Sequence, residues 1–148
     1  MAQNLREQIS DQIIDTLRTL TDPRPVLVTR EPFEPDRLAI TQFPALLVQA
    51  TREERNTITM GMSTSQRKQG TITYAIRGYV RGTELDRLRN DLIEAIDEAL
   101  DGDRYRGKDG YTVTESQVTV IEIIERLPPL AEFRIEFEVN YNYVRGSA

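Results

Sequence analysis

Residues 132–145 read EFRIEFEVNYNYVR, a stretch that alternates strictly between apolar and polar side chains. The apolar or aromatic positions are Phe133, Ile135, Phe137, Val139, Tyr141 and Tyr143. Period-two alternation is typical of a β-strand with one buried and one solvated face. At about 3.3 Å per residue the stretch would extend roughly 45 Å, far beyond the usual strand of about 5–6 residues. We therefore predict that it founds the sheet and that one end, with Val139, Tyr141 and Tyr143, contacts a neighbouring subunit.

The composition favours one domain and narrows its chemistry. The chain has 148 residues and contains neither cysteine nor histidine. The absence of cysteine excludes disulfides and thiolate metal sites. The absence of histidine removes the commonest general base and the commonest metal ligand. Most hydrolase and transferase mechanisms thereby lose their easiest route, and we expect that the protein is not an enzyme.

Charge and hydropathy exclude two further classes of protein. The net charge of −5 argues against a nucleic-acid binder that relies on a basic face. No apolar run approaches the ~18 residues of a membrane span. The first residues, MAQNLREQIS, lack the apolar segment of a signal peptide. We expect a protein that is made and kept in a cytosol, unless it is carried out as part of a larger particle.

Apolar spacing predicts the order of elements α-β-β-β-α-β-β. Helices are predicted over residues 3–20 and 84–100, with Thr83 as the cap of the second helix. Strands are predicted over residues 26–29, 43–50, 70–81, 117–127 and 132–145. This order predicts an α+β domain over residues 1–148: an antiparallel sheet of four to five strands with two helices packed on it.

The predicted strand 117–127 is apolar on both of its faces. One face carries Val118, Val120 and Ile124, and the other carries Thr119, Ile121, Ile123 and Leu127. Two-sided burial is typical of a strand that other elements cover on both faces. We expect this strand either at the centre of the sheet or at a subunit contact.

A long polar connection, residues 56–69, separates two of the predicted strands. Hairpin loops usually take about 2–5 residues, so either the strands extend into an arm or the tip is mobile. The candidate partner-contacting residues in this loop are Met60, Met62, Arg67 and Lys68. Exposed methionines suit an adaptable interface, and an ordinary flexible hairpin end is the alternative.

Two glycines, Gly78 and Gly82, lie at the end of the predicted strand 70–81. Glycine weakens a strand because it has no side chain to pack, and it often marks an irregularity there. We predict a bulge, or a bend before the second helix, at these positions.

Motifs that could carry chemistry fail on their context. Residues 102–108, GDRYRGK, have the glycine and lysine spacing of a phosphate-binding loop, but Asp109 follows where Ser or Thr is required. The acids around this segment also lack the glycine and glutamate spacing of a calcium loop. Glu132, Glu136 and Glu138 alternate with core residues, which places them on the wet face of a strand. We predict no catalytic, metal-binding or cofactor-binding residue.

Four segments after an N-terminal amphipathic helix carry a family resemblance. They are FPALLVQA (43–50), ITYAIRGYVRG (72–82), TELDRLRNDLIEAIDEAL (83–100) and EFRIEFEVNYNYVRG (132–146). In this order they resemble the tail terminator and tail-completion proteins of tailed bacteriophages. The resemblance covers most of the chain and is a pattern of elements, with no diagnostic short motif.

The resemblance implies a structural virion protein of the tail or neck, assembled in the host cytoplasm. Such proteins form a ring, usually hexameric, that sits on the end of the tail tube, stops its polymerisation and offers a docking surface to the head or neck. The implied partners are further copies of the chain, the tail tube protein, neck or connector proteins and the tail sheath. DNA would pass through the bore without specific binding, and no cofactor or membrane is implied.

Ring formation also has a physical basis in the predicted strands, although other functions stay open. A closed ring needs a head-to-tail interface, which an over-long final strand and a two-sided apolar strand could supply by strand addition. Related stations are a head–tail connector, a head-closure protein or a tail-tube-related subunit. A non-viral acidic oligomeric binding module, or a subunit of a cellular complex, is an alternative of another class. An enzyme that works by carboxylates alone is the third.

Overall fold

The computed structural model describes residues 4–57, 67–103, 105–106 and 113–144. These residues form an α+β fold with the predicted order of elements. The helices are α1 (Leu5–Arg18) and α2 (Leu85–Asp101). The strands are β1 (Leu27–Thr29), β2 (Ala45–Thr57), β3 (Arg67–Arg81), β4 (Val113–Ile124) and β5 (Leu130–Val144). Two short 3-10 helices, Pro35–Arg37 and Ile40–Gln42, lie between β1 and β2.

The strands form one five-stranded sheet in the order β1-β2-β3-β5-β4. Neighbouring strands are antiparallel except for β1 and β2, which are parallel. The sheet is therefore mixed, whereas the sequence predicted only antiparallel pairs. The difference lies in the three residues of β1, which pair with Ala45, Leu46 and Leu47 at the start of β2.

The contact of one end of β5 with another subunit stays a prediction, but the length of β5 no longer supports it. β3 is as long as β5, and the two strands pair from Arg67↔Val144 to Arg81↔Leu130 without a register shift. On its other side β5 pairs with β4 from Val113↔Tyr141 to Ile124↔Glu132. The length of β5 is thus matched inside one protomer, because β3 supplies an equally long partner.

The alternation in β5 sets the position of the core, as predicted. Five of its apolar residues are at most 1 % exposed and contribute to the principal hydrophobic cluster: Phe133, Ile135, Phe137, Val139 and Tyr141. The helices complete this cluster with Ile9, Ile13 and Leu17 of α1 and Leu92, Ile96 and Leu100 of α2. Full burial of each large apolar side chain contributes about 1.5–3 kcal/mol, so this face holds the helices on the sheet.

The two helices begin differently. Asn4 caps α1, because its side-chain oxygen accepts a hydrogen bond of 2.9 Å from the backbone N–H of Glu7. The prediction that Thr83 caps α2 is wrong. The cap position of α2 is Glu84, which makes no side-chain capping bond, and only the backbone carbonyl of Thr83 accepts from Leu85, at 2.8 Å.

The placement of the strand predicted at 117–127 also requires a correction. Its pairing covers Val113 to Ile124, and it is an edge strand that pairs with β5 alone among the described strands. The central alternative is therefore wrong, because β5 itself lies between this strand and β3. The subunit-contact alternative stays a prediction.

The connection predicted at residues 56–69 is shortened by strand extension. β2 and β3 remain paired as far as Thr57↔Lys68, so the two strands form an arm, one of the two predicted alternatives. Arg67 and Lys68 belong to β3 by their backbone, and their side chains lie outside the described part. Met60 and Met62 lie outside the described residues altogether.

Gly78 does not produce the predicted bulge. The β3–β5 pairing continues through this position, where Gly78 stands opposite Phe133. The glycine is required by the neighbouring ring, which occupies the space that a side chain at position 78 would take. Gly82 does lie at a bend between β3 and α2.

Candidate subunit-contact surface

Exposed apolar side chains gather on the second half of β4 and just after it. Val120 is 38 % exposed, Ile121 is 44 %, Ile123 is 51 % and Leu127 is 87 %. We call these four residues the β4 surface. The other large apolar side chains exposed in the described residues are single ones on other elements: Val26, Ile40 and Leu88. Single exposed apolar residues are ordinary, whereas a contiguous group indicates a contact site.

The β4 surface occupies both faces of the sheet. Ile121 and Ile123 stand opposite Ile135 and Phe133, which lie on the helix-covered face. Val120 stands opposite Glu136 on the other face, after a register shift between Val118 and Val120. The beginning of β4 is well covered, since Val113 is fully buried. The two-sided apolar pattern in the sequence therefore reflects a strand whose second half projects beyond the protomer's own core.

The outer edge of β4 has few of the features that protect an edge strand. Natural edge strands are commonly protected by lysine, proline or bulges. β4 has no lysine, arginine or proline. Its two register shifts both lie before Val120, so the segment from Val120 to Ile124 is regular. Such an edge offers backbone donors and acceptors to an added strand, with apolar side chains beside them.

A groove of about 400 Å³ adjoins the end of β4. Its lining includes Asp36, Ile124, Arg126, Leu127, Leu130 and Glu132. The groove joins the β4 surface at Leu127, so the exposed apolar region continues around the corner from β4 towards β5.

Arg126 organises the polar wall of this groove. Its Nε donates to Glu132 Oε1 at 2.5 Å, its guanidinium lies 5.6 Å from the centre of the Tyr79 ring, and its Nη1 is 3.8 Å from Asp36 Oδ2. The hydrogen bond to Glu132 raises the pKa of Arg126. The prediction that Glu132 lies on a wet face is therefore wrong, because Glu132 is buried and paired with this arginine.

Two of the three predicted contact residues on β5 lie inside the protomer. Val139 is fully buried and Tyr141 is 1 % exposed, so neither presents a surface to another copy. Tyr143 pairs through its backbone with Lys68, and its side chain lies outside the described part. Sequence alternation identified the buried face correctly. It could not distinguish burial within one chain from burial between two chains.

Tyr141 instead belongs to a polar cluster centred on Glu53 of β2. The Tyr141 hydroxyl donates to Glu53 Oε2 at 2.5 Å, and Arg6 Nε and Arg55 Nε donate to the same carboxylate at 2.6 and 2.9 Å. Burial alone would raise the pKa of Glu53, but the hydrogen bonds from Arg6, Tyr141 and Arg55 lower it to about 2. Burial and the bond to Glu53 raise the pKa of Tyr141 to about 12. The cluster ties α1, β2 and β5 together.

Arg106, in the segment with phosphate-loop spacing, is turned into the protein. It is fully buried, and its guanidinium donates to the carbonyls of Leu100 and Asp103 and, at 3.0 Å, to Gln12 Oε1. It also lies 5.4 Å from the centre of the Phe137 ring. Burial lowers its pKa. This arginine therefore stabilises the end of α2.

The described residues provide no group of three or more acidic side chains placed to hold a metal ion. Within the same ranges, neither helix is long and apolar enough to span a membrane. Comparison with known proteins adds no assignment: no protein-family model matches the chain, and no curated protein matches it in sequence. The β4 surface is the feature of the described structure that most needs a functional explanation.

Proposed function

We propose that the chain is a structural subunit that assembles into a ring and caps a bacteriophage tail tube as a tail terminator. In this role it acts in the virion, stops tube polymerisation and offers the docking surface for the head or neck. The observation that carries the proposal is the β4 surface, which lies on a sheet edge that is regular from Val120 to Ile124. Val120, Ile121 and Ile123 are not covered by the described part of the chain, and a second chain laid on them would bury them.

The edge geometry suits a ring. A head-to-tail contact uses two different surfaces of the same chain, and it closes into a ring when the rotation between neighbours divides a full turn. The sheet ends in two different strands, β1 and β4, so it can offer two different edges. The support comes from β4, and the length of β5 no longer contributes because β3 matches it.

The charge of the chain fits passage of DNA through the bore. A net charge of −5 repels phosphate, so a ring of such subunits lets DNA slide without sticking. The tail tube protein, neck or connector proteins and the tail sheath are the partners proposed for the two ring faces. The loop residues Met60, Met62, Arg67 and Lys68 stay a prediction for one of these contacts.

A second candidate is an acidic oligomeric binding module outside viruses. This candidate is kept because β3 pairs with the whole length of β5 within one protomer. The unusual length of β5 is therefore no longer an argument for a ring. The β4 surface would then receive a strand from a different protein by edge addition. A ring that caps tubes and a module that captures a foreign strand differ in whether the chain assembles alone.

The test measures assembly and capping together. Light scattering on the purified chain should give a closed oligomer, and negative-stain images should place it on the ends of added tail tubes. Tubes assembled in its presence should stop growing. A chain that stays monomeric at high concentration, with no change on adding tubes, would overturn the proposal. An oligomer that ignores tubes would favour the binding module.

A further inference from the structure

The two outer edges of the sheet have similar lengths of strand without a neighbour. On one side the whole of β4 lacks a further strand among the described residues. On the other side β1 pairs only with residues 45–47 of β2. Residues 48–57 of β2 therefore have β3 as their only strand neighbour within the described chain. Each edge has about one strand's length of backbone available for pairing.

The directions of the strands allow these edges to pair between copies. β2 is antiparallel to β3, β3 to β5 and β5 to β4, so β4 runs opposite to β2. Rotation about a ring axis preserves the direction of each strand along that axis. A second copy added by such a rotation thus brings its β2 antiparallel to the β4 of the first copy. Antiparallel pairs are slightly more stable per residue than parallel ones.

The symmetric alternative, β4 against β4, places like charges together. An antiparallel register that overlaps the apolar segment Val120–Ile124 with itself is centred on Glu122. Glu122 of one copy would then stand directly opposite Glu122 of the other, and like charges in that position are destabilising. β4 also carries Glu115 and has no basic residue of its own, and the cation opposite Glu122 is Arg134 of β5, which also pairs with Glu136.

Residues 48–57 of β2 carry no net charge, whereas β4 is acidic. Arg52 and Arg55 are each paired with a glutamate of the same strand, Glu54 and Glu53. Following the register across the sheet, Gln117 is level with Arg52, and Ile123 is level with Leu46 and Val28. By the same register Glu115, the one acid in the first half of β4, is level with Glu54, whose charge Arg52 neutralises. The second half of β4, with Ile123, would lie beside β1 and the exposed Val26.

We propose that β4 of one copy pairs antiparallel with the β1–β2 edge of the next copy, so that the sheet continues from subunit to subunit. This inference rests on the proposed ring and names the two edges that form its contact. The partner of β4 is then a second copy of this chain, with residues 48–57 of β2 beside its first half and β1 with Val26 beside its second half.

Site-specific cross-linking tests the edges directly, because the chain has no native cysteine. Thr51 of β2 and Thr119 of β4 are exposed and lie at nearly the same level of the sheet. Thr51→Cys and Thr119→Cys chains are co-expressed and treated with a flexible bismaleimide. We expect a covalent dimer that contains one chain of each kind as the main product. Each variant alone should give almost none.

Three outcomes separate this inference from the ring itself. A covalent dimer from Thr119→Cys alone would show β4 against β4 and overturn the inference. An oligomer by light scattering with no mixed cross-link would overturn the edge assignment and leave the ring standing. A monomer by light scattering would overturn both. Circular dichroism of each variant confirms that it is folded, and Gln49→Cys with Gln117→Cys provides a second pair on the same two strands.

Discussion

The ring of Phe133 on β5 lies across Gly78 of β3, directly opposite it in the sheet. A methyl group at position 78 would stand 2.0 Å from Phe133 Cζ, far inside van der Waals contact. Tyr141 is placed in the same way over Gly70, where a methyl group would stand 2.3 Å from its Cζ. The two glycines therefore make room for two aromatic rings of β5 in the core.

We expect Gly78→Ala to lower the free energy of unfolding by about 1–3 kcal/mol. Overpacking a dense core forces side chains off their rotamers, and here the clash is with a buried ring. Urea unfolding of the variant measures the loss. In a Phe133→Leu background the additional cost of Gly78→Ala should be smaller, because the two residues are in contact and their effects are coupled.

Gly102→Ala is the matched control. Among the described residues, a methyl group there would meet the backbone carbonyl oxygens of Ala99 and Glu98, both at 3.5 Å, and Gly102 has right-handed helical angles. We expect no loss, or a gain of up to about 1 kcal/mol from the lower entropy of the unfolded chain. Equal losses at positions 78 and 102 would contradict the role assigned to Phe133.

Glu53→Gln should make stability less dependent on acid pH. The folded-state pKa of Glu53 is about 2, below its ordinary value of 4.5, so the charged form is stabilised in the folded protein. Its contribution is fully present above about pH 4.5 and is lost as the pH falls through about 2. At pH 7 we expect the variant to lose about 1–2 kcal/mol, since charged hydrogen bonds become neutral ones. The difference should disappear near pH 2.

The control for Glu53 is its exposed neighbour Glu54. Glu54 pairs with Arg52 at the surface, and exposed ion pairs contribute about 0–1 kcal/mol. Urea unfolding of Glu54→Gln from pH 2 to pH 7 should follow the parent protein closely. A Glu53→Gln loss that stays constant over this pH range would contradict the charge-based explanation.

Val139→Asp should prevent folding or destabilise the protomer by at least about 3 kcal/mol. Val139 is fully buried, and an isolated charge placed there has no partner. Glu136→Gln is the control, because Glu136 lies on the opposite face of β5. This change removes an ion pair with Arg134 at 3.6 Å and should alter the free energy of unfolding by less than about 0.5 kcal/mol. Thermal unfolding of both variants checks the assignment of faces. A harmless Val139→Asp would show that the buried face is wrong.

Ile123→Lys should weaken self-association and leave the protomer folded. Ile123 is half exposed, so lysine can keep its charge in water in the protomer, whereas a subunit contact would bury that charge. We expect at least a tenfold higher dissociation constant by light scattering over a concentration series. Ile40→Lys is the matched control, because Ile40 is also exposed but lies in the turn before β2. Equal effects of the two changes would remove the β4 surface from the contact.

Arg106→Met should lower the free energy of unfolding by about 2–4 kcal/mol. The change removes the buried donor to the Leu100 and Asp103 carbonyls and to Gln12, and buried acceptors without partners are costly. Urea unfolding of Arg106→Met measures the effect. Arg87→Met is the control, because its side chain is exposed on α2 and makes only a 3.8 Å ion pair with Glu84. A loss no larger than that of Arg87→Met would contradict the structural role of Arg106.

The spacing of apolar residues in the sequence was sufficient to predict the helices and strands and the buried face of β5. The 3.6-residue spacing identified both helices, and the strict alternation from Phe133 to Tyr141 identified the buried face of β5. These patterns are local, because the periodicity of an element fixes which side chains share a face. The same alternation could not reveal that Glu132 is buried, or that it pairs with Arg126 across the corner between β4 and β5.

The sequence by itself thus determined the α+β class, the order of elements and the residues that face the helices. Only the tertiary structure decided which strands are neighbours: that β3 matches the whole length of β5, and that β4 lies at the edge with Ile121 and Ile123 exposed. The physical reason is that an apolar residue carries the same hydrophobic preference whether its own chain or another chain covers it. Strand order, set by packing over the whole chain, decides which of the two is available.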